Sequence, residues 1–226
     1  MQVTFYGHSC FSIVVNGKTL LFDPFITPNE KASHIDVETI NPHYILISHG
    51  HEDHIADCIS IAGRSGATVI ANYEIGNWMT KNGVSNVHSM ASGGTFEFDF
   101  GKVIMTGALH SSSFPDGSYA GTAAGFVVKS GEKCFYYAGD TGLFYDMKMY
   151  GEIYDLDFAF LPIGDNYTMG YKAAALAADY LNVETVIGMH YDTWEVLAIS
   201  HDKAKGEFQA CGKELILMEI GSKREF

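Results

Sequence analysis

The sequence predicts an α/β chain built as a layered sandwich of sheets and helices. Three observations predict it: the first third is rich in short β-branched or aromatic runs, the last third takes on helical spacing, and apolar strands alternate with helices between them. At 226 residues, with 47% hydrophobic and 18% charged residues, the chain has ordinary globular composition and is expected to bury its core as a single domain over 1–226.

Each element has its own warrant. "MQVTFYG", "FSIVVNG" and "KTLLFDP" are strands broken by Gly, Asn-Gly and Pro, and "VNGK" at 15–18 is a two-residue hairpin turn. "HYILIS" is a nearly continuous apolar run, as expected of a strand covered on both faces. "HIADCISIAGRSG" has helical spacing and a glycine stop; "ATVIAN" is a strand and "YEIGNWMTKNG" a helix ending at Gly83. Two hairpins follow, turning near Asp99–Gly101 and at Ser130–Gly131. Beyond them "LFYDMKMYGEI", "YKAAALAADYLN" and "SHDKAKGEFQACG" are helices, whereas "LDFAFLPIG", "VETVIGMH" and "KELILMEI" are strands.

Composition also excludes. Fourteen Lys+Arg against 27 Asp+Glu leave a net charge of −13 with no basic cluster, which disfavours nucleic acid or an anionic membrane as partner. No apolar run approaches the ~20 residues of a membrane span, and the N-terminus lacks a signal-peptide pattern. Cys10, Cys58, Cys134 and Cys211 are scattered, which fits reduced thiols and a cytoplasmic location.

Ligand-type residues recur where strands end. "HYILIS" runs into His49, His51, Asp53 and His54, an H-x-H-x-D-H pattern. His49 and His51 are two apart, so a looped backbone turns both rings to one side, while Asp53 and His54 on the incoming helical turn face a second point. "VIMTGALH" stops at His110, "KCFYYAGD" at Asp140 and "TVIGMH" at His190. In α/β folds ligands gather at the carboxyl ends of strands. A lone histidine there is usually structural, but seven such residues at one kind of junction point to a metal site.

These motifs, with "GHSCF", "LFDPF", "LPIGDNYTMG" and "IGMHYDT", resemble the metallo-β-lactamase-fold hydrolases over essentially the full length. The similarity is to the bacterial metal-dependent hydrolase subfamily related to L-ascorbate-6-phosphate lactonase and N-acylphosphatidylethanolamine phospholipase D. The resemblance implies a four-layer αβ/βα sandwich of two mixed sheets flanked by helices. It implies two divalent ions, one on His49, His51 and His110, the other on Asp53, His54 and His190, with Asp140 bridging. Zinc suits this imidazole and carboxylate set, and manganese or iron are the alternatives. A water bridging two such ions falls in pKa from ~15.7 toward ~7, and the hydroxide attacks an ester, lactone or phosphodiester of a small molecule, anionic or neutral. A metal-holding scaffold without turnover would lack a ligand or the bridging acid, and a flavodiiron-like redox module would carry an acid at position 51; neither signature is present.

Supporting residues are less determined. His8 in "GHSCF" is expected to contact substrate or a developing oxyanion, and Asp53 to hold or receive the proton. Asp23 either orients a ligating imidazole or caps the turn before Pro24. Asp57 is expected on a helix surface rather than as an acid supporting a ligand, Asp165 or Thr168 as a helix N-cap, and Asn166 either as a substrate contact or as a structural loop residue. "HSSSFPDGSYAG" is either a mobile rim or a solvated loop. His34, His43, His88 and His201 lack a partner pattern. Association into a homo-oligomer is left open.

Overall fold

The computed structural model describes all 226 residues. Six strands follow the chain into a first sheet: β1 (Gln2–Gly7), β2 (Cys10–Val15), β3 (Lys18–Phe22), β4 (Tyr44–Leu46), β5 (Thr68–Asn72) and β6 (Val87–Met90). The second sheet takes β7 (Thr95–Phe98), β8 (Gly101–Gly107), β9 (Ala124–Ser130), β10 (Lys133–Tyr137), β11 (Phe158–Pro162), β12 (Thr185–Met189) and β13 (Glu214–Ile216). A last strand, β14 (Lys223–Glu225), returns to the edge of the first sheet beside β1. Both sheets are mixed: β1–β2–β3 and β7–β8–β9–β10 pair antiparallel, and β3 through β6 and β10 through β13 pair parallel.

The sheets meet through aromatic side chains. Phe11 and Phe22 of the first sheet reach Phe160, Tyr137 and Phe126 of the second, with ring centroids 4.8, 4.6 and 6.3 Å apart. All five are fully buried, and each contributes about 1.5–3 kcal/mol by leaving water. Helices close the outer faces. α1 (Glu52–Ile55), α2 (Cys58–Ser65) and α3 (Tyr73–Lys81) lie on the first sheet's side, where α2 and α3 share a second core with Ile45, Val69 and Ile47. α4 (Asp146–Ile153), α5 (Tyr171–Tyr180) and α6 (His201–Ala210) cover the second sheet. On α5, Ala174, Ala175, Ala177 and Ala178 are buried while Leu176 turns outward, so the helix packs by its small face. The result is the αβ/βα sandwich of two mixed sheets that the sequence implied.

Several local expectations need correcting. The helix expected over 54–66 breaks into α1 and α2 at Asp57. The Asp57 carboxylate turns inward to accept the Ile26 and Thr27 N–H groups at 2.6 and 2.9 Å, and its own N–H donates to the Pro24 carbonyl. Asp57 is therefore buried, not a surface residue; it clamps the loop leaving β3. Neither Asp165 nor Thr168 caps α5, whose N-cap is Gly170 without a side-chain bond. "KELILMEI" is a strand only over β13; the chain then turns at Glu219–Gly221 to lay down β14.

Candidate metal centre

Strand direction places the site. β1, β3 and β4 run one way in the first sheet, and β8, β10 and β12 share a direction in the second. Their carboxyl ends carry His8, Asp23, His49 with His51, His110, Asp140 and His190. Three of these, His8, Asp23 and His190, adopt left-handed backbone with φ of 55°, 43° and 56°. Non-glycine residues hold such angles when the surroundings over-determine them, as at functional sites.

The seven residues singled out as ligands come together. The nitrogens of His49, His51 and His110 lie within 4.8 Å of one another, and so do the ligand-type atoms of Asp53, His54 and His190 together with His8. Asp140 stands between the groups. Its Oδ2 is 2.9 Å from His190 Nε2, 3.4 Å from His54 Nε2 and 3.7 Å from His110 Nε2.

A buried carboxylate aims two of the rings. Asp23 is fully buried and accepts the Ser48 N–H at 2.7 Å, the Ser48 hydroxyl at 2.6 Å and the His54 Nδ1–H at 2.9 Å. The Tyr137 hydroxyl lies 2.8 Å from the same carboxylate. Ser48 Oγ, donating to Asp23, is left to accept from His49 Nδ1 at 3.0 Å. Both imidazoles thus carry a proton on Nδ1 and turn Nε2 into the site. Of the two roles open to Asp23, orienting a ligand-type imidazole is the one observed.

His8 departs from expectation. It is 2% exposed and stands behind Asp53, donating from Nε2 to Asp53 Oδ2 at 3.0 Å while Nδ1 accepts the Thr193 hydroxyl at 2.7 Å. It does not line the cavity beside Asp53 and Asp140, so it touches the Asp53 carboxylate where substrate contact was expected. The composition of "GHSCF" carries no signal for this, because Thr193 lies 185 residues away.

The loop after His110 is pinned: Phe114 is buried against Trp78 with centroids 4.7 Å apart, and Ser112 Oγ accepts the Gly50 N–H. Asn166 is exposed in left-handed backbone and does not line the cavity; its neighbour Tyr167 does. His201 pairs with Asp192 at 2.6 Å on the surface, away from the cluster, and His43 accepts the Thr19 N–H.

Burial opposes charge on these histidines, and the carboxylates decide which carry it. At His54 and His190 burial lowers the pKa, but Asp140, reinforced by Asp53, outweighs it: His54 is held well above the usual imidazole value and His190 is raised to about 9. Burial would likewise raise Asp53 and Asp140, but His54 beside the first and His190 with His54 beside the second keep both carboxyls well below their usual range. His49, His51 and His110 are lowered, chiefly by burial, and so is His8, to about 4.

The His190 value exceeds its ordinary 6.5, so its stabilising effect in the metal-free protein is full below about pH 6.5 and is lost as pH rises through about 9. Metal-free protein is therefore expected to lose melting temperature across that window, and metal addition there to release protons from His54 and His190. A melting temperature that climbs from pH 6.5 to 9 would contradict this charge distribution.

The residues fit a metal. His54 Nε2 and Asp140 Oδ1 are buried polar atoms without a hydrogen-bond partner, and such atoms are costly unless something satisfies them. The converging atoms are imidazole nitrogens and carboxylate oxygens, the set that zinc, manganese and iron accept. No cysteine belongs to it; Cys10, Cys58 and Cys134 are buried free thiols elsewhere and Cys211 is exposed.

The chain is similar to known proteins over most of its length. The model of the β-lactamase superfamily domain matches residues 18–191. A UPF0173 metal-dependent hydrolase of Methylacidiphilum infernorum is 51% identical over 209 residues, 92% of each chain. One from Flavobacterium johnsoniae is 44% identical over 225 residues, the full length of both. Among solved structures, the metallo hydrolase Igni18 of Ignicoccus hospitalis superposes with a TM-score of 0.89 at 33% identity, over 100% of this chain and 98% of its own. An isothiocyanate hydrolase from Delia radicum gut bacteria shares the fold, with a TM-score of 0.81 at 17% identity, over 100% and 99%. No helix is long and apolar enough to cross a membrane. On its residues and its relatives, the chain belongs to the UPF0173 metal-dependent hydrolases of the β-lactamase superfamily.

Proposed function

We propose that the chain is a dinuclear-metal hydrolase acting on the ester, lactone or phosphodiester bond of a small molecule. One ion would be held by His49, His51 and His110, the other by Asp53, His54 and His190, with Asp140 facing both. The position of Asp140 Oδ2, within 3.7 Å of a histidine from each group, carries this reading. Ions held there would acidify a water and polarise the scissile oxygen. The chain's own residues do the rest. Asp23 and Ser48 keep His54 and His49 turned inward. His8 fixes one oxygen of Asp53, whose carboxylate opens on the cavity. The cavity, about 670 Å³, is of the size that encloses small-molecule substrates. Buried free thiols support a reducing, cytoplasmic location.

A paired substitution tests the assignment. His110→Ala is expected to lose one ion per chain and most of the hydrolytic rate, whereas His201→Ala, on a surface histidine, loses neither. Metal content and turnover unchanged in His110→Ala would overturn the ligand assignment.

A further inference from the structure

The cavity over the metal-ligand cluster is electrically one-sided. No lysine or arginine is among the residues that line it, and Glu52, exposed, adds a third carboxylate to Asp53 and Asp140. In a chain of net charge −13, the positive charge a substrate would meet there is that of the bound metal.

One wall is apolar. Phe25, Trp194 and Val196 line it, and Trp194 and Val196 remain 42% and 52% exposed, with Tyr167 at 57% nearby. Large apolar side chains left in contact with water around a polar pocket mark a surface that a ligand covers. The wall is tied to the chemistry. Trp194 and Phe25 lie 6.0 Å apart and both pack on the His8 ring, at 5.0 and 5.5 Å, and His8 holds Asp53. Trp194 follows Thr193 in the segment that begins at His190, and Phe25 follows Asp23. The residues that aim the cluster therefore also fix the wall, on its Asp53 side.

From these two features we infer the substrate class. The part of the substrate beyond the bond cleaved is an uncharged alkyl or aryl group seated on Trp194, Phe25 and Val196. A second anionic group is rejected, so any negative charge the substrate carries sits at the reacting group itself. This rests on the metal-site reading and sharpens it: a phosphomonoester tail or a dicarboxylate finds no cation to meet it, and Glu52 repels it.

The test is equilibrium binding to the metal-loaded protein by calorimetry, with acids that share one head group and differ only at the far end. Acetate reports the head alone; hexanoate, adipate and 6-aminohexanoate add a six-carbon chain ending in methyl, carboxylate or ammonium. Hexanoate is expected to bind about tenfold or more tighter than adipate, and tighter than acetate and 6-aminohexanoate. Trp194→Ala should shrink the preference for hexanoate over acetate, and Glu52→Gln should narrow the adipate penalty. Val196→Ala gives a second, milder reading of the wall should Trp194→Ala fold poorly. Adipate binding as tightly as hexanoate, or 6-aminohexanoate binding tightest, overturns the inference while leaving the metal site intact. Acetate binding with no preference among the tails does the same. Metal content is measured on the same sample: protein that takes up no metal overturns the metal-site reading and this inference with it, whereas metal-loaded protein that binds none of the acids overturns this inference alone.

Discussion

Asp140→Asn is expected to lower hydrolysis by more than about 100-fold and to reduce bound metal. Replacing a residue that merely orients a ligand costs about 10–100-fold, and Asp140 faces both ligand groups directly. The amide keeps the shape but removes the charge that holds His54 and His190 in their raised protonation range, and it weakens the attraction for cations at the centre of the cluster. Metal content by elemental analysis, with circular dichroism to show that the variant folds, separates loss of the site from loss of the protein. Two ions bound and a rate within threefold of the parent would show that Asp140 is not the shared ligand.

Asp23→Ala is expected to act on both stability and metal. Asp23 is fully buried and its carboxylate meets His54 and two donors from Ser48, with the Tyr137 hydroxyl beside them. Removing one partner from such a buried charged group costs roughly 3–5 kcal/mol, because the others are left unsatisfied. His54 and His49 would also lose the chain of bonds that fixes their tautomers, weakening metal binding about 10–100-fold. Urea denaturation of the metal-free protein and metal titration of the folded protein check the two effects separately. A stability change below about 1 kcal/mol would mean that Asp23 is not the anchor of the site. Tyr137→Phe, which removes one contact and leaves the carboxylate, should fall between the parent and Asp23→Ala.

The ligand-type residues were legible because strand ends are local features. An apolar run that stops at His49, His110, Asp140 or His190 announces a junction, and the parallel strand directions carry those junctions to one edge. Most strand and helix positions follow from the same local patterns. What sequence reading missed depends on partners far along the chain. Asp57 looked like the outward face of a helix until its carboxylate was seen to bind the Ile26 and Thr27 amides, about thirty residues earlier. His8 looked ready for substrate, yet Asp53 and Thr193 enclose it. β14 is three residues long and exposed, held by pairing with β1 at the other end of the chain, so it leaves no periodic trace of its own. Asp165 and Thr168 had the right residue types for an N-cap, but left-handed backbone at Asp165 and Asn166 folds that segment into its own turn, and α5 begins only after Gly170.

The cluster around Asp140 is proposed to hold two divalent ions. The most direct test is elemental analysis of the purified protein prepared without chelator, repeated after incubation with zinc or manganese. About two ions per chain are expected, falling when His110 or Asp140 is replaced. Protein that binds no metal in either preparation would contradict it, and the converging imidazoles and carboxylates would then be a buried polar network without hydrolytic chemistry.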